Sequence, residues 1–331
     1  MAPHVRKNLK GSETELMESQ VIVEKKEDLV RQFGPWTAHN IHLGGGVYTI
    51  DENAPGQGEV LRRLIQAIED IAHRPLRELR VLDLACLEGL YGIELALHGA
   101  AVVGIEGRQT NIEKARFVKE TLSLNNLELI QDDVRHISTE TYGQFDVVLC
   151  AGILYHLDVP DVFCFIERIF EMTTDFAVFE THISSTAKEV HVYKSRRYSG
   201  CPYTEHNPDA SKSEKEKRLW ASLDNSRSFW FTKPSLLNFL SHTGFTSVYE
   251  CLNPSTVRDF ADRVTLISVK GTRKSLLCSP PLNLRTEEDW PERPQGGVHP
   301  SQRTRLERSL GAAVSLIPAP AKRLLKRLIG A

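Results

Sequence analysis

The chain has 331 residues, enough for one large α/β domain with extensions or for two modest domains. Charged residues make up 25% and apolar ones 41%, an ordinary globular composition, and the formal net charge is −2. That balance provides no whole-surface attraction to nucleic acid. The six scattered cysteines include no CxxC pair, which argues against a disulfide framework and against a zinc site. No metal is expected.

The N-terminal stretch MAPHVRKNLKGSETELMES lacks the apolar core of a secretory signal, and no segment approaches the roughly 18 apolar residues of a spanning helix. The expected location is therefore cytoplasmic. Residues 14–33 set Leu16, Val21, Val23, Leu29, Val30 and Phe33 among charges and predict a surface helix. Residues 34–58, rich in glycine and aromatics, predict irregular structure or a hairpin, and a helix follows over 59–73.

A regular alternation then begins. Strand-like runs at 81–86, 101–106, 127–131, 145–152 and 175–181 are separated by helix-like segments at 89–98, 109–123 and 160–172. Apolar strands alternating with helices predict βαβ units and a parallel sheet covered on both faces. After a polar stretch at 183–227 come a helix at 233–245 and strands at 246–252 and 262–270. Beyond 271 the chain reads as a proline-rich linker. Its last 31 residues carry seven Lys/Arg against one acid and end in AKRLLKRLIGA, a basic amphipathic segment suited to weak peripheral membrane contact, to docking on the protein body or to remaining disordered.

Open parallel sheets bind ligands at the carboxyl ends of their strands. Asp83 and the loop Ala85-Cys86-Leu87-Glu88-Gly89 follow the first strand, Glu106 and Gly107 the second, Asp132, Asp133 and Val134 the third, and Ala151 with GILYH the fourth. An acid ending the second strand can accept two ribose hydroxyls, and one after the third can accept an adenine amine, so this order predicts a nucleoside pocket. A dinucleotide needs G-x-G-x-x-G, and Leu87 and Leu90 occupy its second and third glycine positions. A sulfonium nucleoside has no phosphate to cradle, and it tolerates a side chain in the loop that points away from it.

VLDLACLEG, VVGIEGR, QDDVR and FDVVLCAGILYHL resemble the successive motifs of class I S-adenosylmethionine-dependent methyltransferases over roughly residues 78–182. The resemblance implies an α/β, Rossmann-like seven-stranded sheet of order 3-2-1-4-5-7-6 with helices on both faces. It also implies that Asp83 and the 85–89 loop (Ala85, Cys86, Leu87, Gly89) meet the methionine end of S-adenosyl-L-methionine, Glu106 the ribose, and Asp133 with Val134 the adenine. Gly107 and Ala151 complete the expected cofactor set. The expected domains are a cap at 1–77, the methyltransferase domain at 78–271 with a substrate-cap insertion at about 183–230, and a tail at 272–331.

GILYH, SFWFTKPSLLNFLSHTGF and DRVTLISVK further resemble the branch containing the tRNA wobble-uridine carboxymethyltransferase, which uses a carboxylated cofactor held in part by a lysine, a tyrosine and an arginine. Tyr155 and Arg263 match the tyrosine and arginine, but Phe33 stands in the lysine's place. The loss of one cation predicts ordinary methyl transfer.

His156 and His182, after the fourth and fifth strands, are candidate bases for a hydroxyl nucleophile; a structural role is the alternative for each. Tyr155 would shape the transfer pocket. In the insertion, Tyr193, Arg196 and Arg197 are candidates for clamping an acidic substrate or, alternatively, a solvated basic loop; Trp230 is a candidate pocket wall. Trp36, His39 and His42 are placed to close the site from the N-terminal side. The expected acceptor is a small molecule, a glycan or a natural-product intermediate. The alternatives are a wobble-uridine enzyme, for which the central region lacks the basic surface, and a non-catalytic binding protein on the same scaffold.

Overall fold

The computed structural model describes residues 5–54, 58–251 and 262–272. The expected linker, the basic tail and Cys278 lie outside the described residues. The described residues all fall within one compact unit.

A seven-stranded sheet is built from β3 (Arg80–Leu84), β4 (Ala101–Glu106), β5 (Leu127–Gln131), β6 (Phe145–Ala151), β7 (Thr173–His182), β11 (Ser247–Glu250) and β12 (Arg263–Val269). Its order is β11-β12-β7-β6-β3-β4-β5. Numbered along the chain, that is the expected 3-2-1-4-5-7-6. The β3–β7 ladders are parallel, and β12 runs antiparallel to both β7 and β11.

Strand alternation divides the apolar residues between the two faces. Val81 of β3 packs with α2 (Gly58–Ala72), α3 (Leu90–Leu97) and α4 (Gln109–Thr121) on one side. Leu82 and Leu84 pack with α6 (Asp161–Met172) and α8 (Lys233–Thr243) on the other.

The N-terminal helix α1 runs over Val5–Phe33, longer than the periodicity indicates. The following segment takes the hairpin alternative, with β1 (His42–Gly44) paired to β2 (Val47–Tyr48).

The insertion after β7 is the main difference from the sequence reading. It holds a separate three-stranded antiparallel sheet, β8 (Glu189–Tyr193), β9 (Arg196–Thr204) and β10 (Arg227–Phe231), in the order β10-β9-β8, with α7 (Lys212–Lys217) between β9 and β10. β9 reads RRYSGCPYT and buries only Tyr198 and Gly200, so its alternation is too sparse to register as a strand. Gly200 is required by packing: a Cβ there would lie 2.3 Å from the Trp230 carbonyl and 2.5 Å from the Phe229 ring.

Phe163 of α6 joins this small sheet to the main domain. It is fully buried, stacks on Phe239 of α8 at 5.1 Å, and meets Tyr198, Phe229 and Phe231 within 6.2 Å. Phe163→Ala should cost about 3–5 kcal/mol of unfolding free energy. Denaturant titration followed by circular dichroism measures it, and a loss below 1 kcal/mol would show that the cluster does not couple the two sheets.

Candidate active site

The loop after β3 passes through the left-handed backbone region at Ala85 (φ 53°), Leu87 (φ 51°) and Gly89 (φ 88°). For alanine and leucine that conformation costs roughly 1–2 kcal/mol each. The surroundings hold it in place. Cys86 N–H donates to the Ile105 carbonyl at 2.9 Å, and Leu87 N–H donates to Glu106 Oε2 at 3.0 Å. Glu88 turns away from the ligand side of the loop and is fully buried. Its Oε1 accepts from the Thr37 N–H at 2.6 Å and hydroxyl at 3.0 Å, and its Oε2 from the Ala38 and His39 N–H groups at 3.2 and 3.1 Å.

Lys114 of α4, equally buried, lies 3.3 Å from Glu88 and donates to the Pro35 carbonyl at 2.6 Å. This buried ion pair fixes the N-terminal segment over the loop. Trp36 packs on Phe117 at 5.9 Å, and His39 Nδ1 accepts from the Leu90 N–H at 3.1 Å. Burial lowers the His39 pKa to about 4, against the opposing pull of Glu88, so the ring is neutral with its proton on Nε2.

A cavity of about 530 Å³ lies over the carboxyl ends of the parallel strands. His39, Ala85, Cys86, Leu87, Glu106, Gly107, Asp133, Val134 and Ala151 line it, as do Tyr155, His156, His182, Trp230 and Arg263. The loop side chain of Leu87 was expected to tolerate the ligand by pointing away, yet the residue is part of the wall. Glu106 Oε1 accepts from the Arg108 N–H at 2.8 Å and Asn111 Nδ2 at 3.3 Å; burial raises its pKa and these donors oppose the rise. Three of the roughly four acceptor positions of that carboxylate are thus taken, which leaves one for a ligand hydroxyl. Asp133 is less available than its position suggests. Its carboxylate is forked by Arg135 Nε at 3.0 and 3.1 Å, and although burial opposes ionisation, the Arg135 contacts lower its pKa overall.

Five expected site residues lie elsewhere. Asp83 is buried beneath the wall and accepts from the Gly92 N–H at 2.9 Å, which satisfies an open donor in the first turn of α3. Burial pushes its pKa up to about 7. Gly89 is the N-cap of α3, with Ala115 and Ile93 closing on it, and does not line the cavity. Tyr193 faces α6, donating to Glu167 Oε2 at 2.8 Å and packing on Phe163. Arg196 and Arg197 are exposed at the start of β9, away from the cavity wall. Neither arginine lines the cavity, so the expected clamp on an acidic substrate is not part of its wall.

The insertion instead roofs the cavity with residues 219–223. Arg108, next to Glu106, anchors them: its guanidinium donates to the carbonyls of Lys215, Glu216, Arg218, Ala221 and Ser222 at 2.7–3.2 Å. Gly107 makes room for this roof, since a Cβ there would lie 3.1 Å from Leu223 Cδ2.

Two imidazoles flank Tyr155. His156 Nδ1 lies 3.0 Å from both oxygens of Glu205, which is 2% exposed and also accepts from the Ser222 N–H at 2.8 Å and the Ser228 hydroxyl at 2.7 Å. His182 Nδ1 lies 3.2 Å from Asp262 Oδ2, within ion-pair distance. Burial and Arg263 both lower the His182 pKa, which Asp262 opposes. The β7–β12 register sets Arg263 opposite His182, and Arg263 pairs bidentately with Glu180, its diagonal neighbour on that face. Burial pushes the Tyr155 hydroxyl up to about 12, so it stays protonated.

Glu205, Arg108, Asn111 and Glu180 are site residues that the sequence reading missed. Arg108 and Glu180 each sit two residues from a residue already picked out, which is the only signal available for them. Glu205 had none, lying 49 residues from the histidine it contacts.

The family described as methyltransferase domain matches residues 76–223. The ubiquinone biosynthesis O-methyltransferase of Acinetobacter baylyi is 34% identical over 82 residues, which are 25% of this chain and 34% of that protein. That of Brucella melitensis is 36% identical over 96 residues, 28% of this chain and 36% of that protein. The chain thus spans about a third of the length of these curated relatives. The N-terminal domain of EvdMO1, solved with S-adenosylhomocysteine and D-fucose, superposes with a TM-score of 0.59 at 22% identity over 75% of this chain and 96% of that one, and shares the fold. No described helix is long and apolar enough to cross a membrane.

Two outcomes test this geometry. Lys114→Met strands a buried carboxylate and should destabilise the protein by about 3–5 kcal/mol in urea titration, well beyond an ordinary core substitution. His39 has a folded pKa below the usual 6.5, so the unfolded chain binds the extra proton first. Its contribution is fully present above about 6.5 and is lost as pH falls toward 4. The midpoint denaturant concentration of the wild type should fall across that window more steeply than that of His39→Gln.

Proposed function

We propose that this chain is an S-adenosylmethionine-dependent methyltransferase acting on a hydroxyl of a small-molecule acceptor. The observation that carries the reading is the Glu205–His156 pair on the wall of a cavity whose other end is formed by the strand-end residues Glu106, Gly107 and Val134. The residues present fit the cofactor: Glu106 keeps one acceptor position for a ribose hydroxyl, and the roof anchored by Arg108 covers that end of the cavity. Bound S-adenosylmethionine supplies an electrophilic methyl carbon, and the C–S bond breaks with its electron pair remaining on sulfur.

The protein's own part is alignment and proton removal. Because His156 Nδ1 faces Glu205, its Nε2 is the nitrogen left to accept the acceptor's hydroxyl proton as the new O–C bond forms. Glu205 holds the ring in that tautomer and stabilises the imidazolium that results. Tyr155 remains neutral and packs the space between the two histidines. The Arg108-anchored roof keeps water from the cofactor end.

The carboxylated cofactor is disfavoured. Arg263, the cation expected to neutralise it, is already paired with the buried Glu180, and Phe33 replaces the expected lysine. The relatives named for ubiquinone biosynthesis O-methylation support an oxygen acceptor, without identifying it.

Calorimetry with S-adenosylhomocysteine, the carboxylated cofactor and NAD tests the reading. Binding of the first in preference to the other two is expected, and absence of binding by either sulfonium-derived ligand overturns it. His156→Ala should lower kcat by about 10²–10⁴ with S-adenosylhomocysteine affinity retained, and Glu205→Gln should give a smaller loss. Unchanged kcat in His156→Ala would remove the base.

A further inference from the structure

We infer that the acceptor is an uncharged ring bearing two neighbouring hydroxyls, held between the His156–Glu205 and His182–Asp262 pairs, and that one of these hydroxyls is methylated. This rests on the methyl-transfer reading above and adds the class of acceptor to it.

The charge of the acceptor follows from the arginines. Among the described residues lining the cavity, the guanidinium groups are those of Arg108, Arg135 and Arg263, and no lysine contributes. Arg108 is spent on five backbone carbonyls, Arg135 on Asp133 and on Asp224 at 2.9 Å, and Arg263 on Glu180. A phosphate or carboxylate on the acceptor would be desolvated with no cation to meet it. The buried carboxylates of Glu180, on the wall, and Glu205, behind it, add to that penalty.

The two hydroxyls follow from the histidines. A single proton transfer needs one base, yet besides His39, whose Nδ1 is taken by the Leu90 N–H, the wall presents two imidazoles with a carboxylate at Nδ1. The Tyr155 ring lies between them, with its centroid 4.3 Å from that of His156 and 4.7 Å from that of His182, so the imidazoles can be no farther apart than these two contacts laid end to end. A ring seated in the cavity beside Tyr155, with adjacent oxygens turned toward the two imidazoles, can meet both. The methyl approach is in line with a single oxygen, so His156 takes the proton of the reacting hydroxyl while His182 holds its neighbour and sets which position reacts.

The flat side of the site agrees. His182, Trp230 and Tyr203 form a near-parallel stack, 4.9 and 4.6 Å between centroids with interplanar angles of 19° and 17°. Trp230 Nε1 is fixed by the Tyr155 carbonyl at 3.0 Å. Such a wall is a rigid surface along which the ring of a sugar or of a catechol can lie.

The test measures S-adenosylhomocysteine production by the full chain from methyl fucopyranoside and its 3-deoxy analogue, from catechol and phenol, and from fucose 1-phosphate. The expected result is a kcat/KM for methyl fucopyranoside or for catechol at least about tenfold above that for its partner without adjacent hydroxyls, and above that for the phosphate. Which of the two succeeds tells whether the ring is a sugar or an aromatic. In His182→Gln the ratio between each substrate with adjacent hydroxyls and its partner without them should collapse toward one, mainly through KM, a change that a merely structural histidine would not produce.

Equal rates with and without the adjacent hydroxyl, preference for the phosphate, or no turnover of either methyl fucopyranoside or catechol by protein that binds S-adenosylhomocysteine would overturn the inference. Failure to bind S-adenosylhomocysteine at all would instead sink the methyltransferase reading, so the two failures are distinguishable. If His182→Gln does not fold, the wild-type ratios alone decide.

Discussion

The buried pair between Glu88 and Lys114 is the constraint on which the site is built. Both side chains are completely buried, so each is viable only because the other is present and because backbone groups fill its remaining positions. Glu88 sits in the middle of the loop after β3, and through it the Thr37–His39 backbone is locked to that loop. The result is an otherwise strained turn, with Ala85 and Leu87 in a glycine-favouring conformation, made rigid from behind by the N-terminal segment. The cost of the strain and of burying two charges is met by a dense set of charge-assisted hydrogen bonds.

The opposite end of the cavity uses the same economy. Arg108 lies two residues after Glu106, so one short stretch of chain supplies both a carboxylate of the cavity wall and the cation that gathers five carbonyls of residues 215–222. Glu205, contributed by the insertion, both aligns His156 and accepts from Ser222 within that roof. The roof and the proposed base are therefore coupled: a chain that has not closed its roof has not oriented its histidine either.

Electrostatically the cavity is a set of internally settled accounts. Nearly every charge on its wall has its partner within the protein, which leaves hydrogen-bonding edges and aromatic faces for the ligands. An interior of this kind discriminates against charge on the acceptor more than it attracts any one functional group. Specificity then falls to geometry, to the spacing of the two imidazoles and the flat wall beside them.

The sequence by itself determined the central sheet. Largely apolar runs separated by helical periods point to buried parallel strands, and the order of the seven strands was implied by the resemblance to the family motifs. Cavity-lining positions at strand ends were legible for the same reason, because a strand's end is local information: Glu106, Gly107, Val134 and Ala151 all line the cavity. Asp83 was misread because the same local pattern suits a carboxylate facing a ligand and one that caps the next helix.

The insertion was not legible in this way. Its small sheet buries few residues per strand, so neither alternation nor hydrophobicity announces it, and Tyr193, Arg196 and Arg197 could not be assigned a face. The pairing of Glu205 with His156, of Glu88 with Lys114 and of Arg108 with the roof joins residues far apart along the chain. Such contacts depend on side-chain reach and burial across packed elements, quantities that exist only once the tertiary structure has formed.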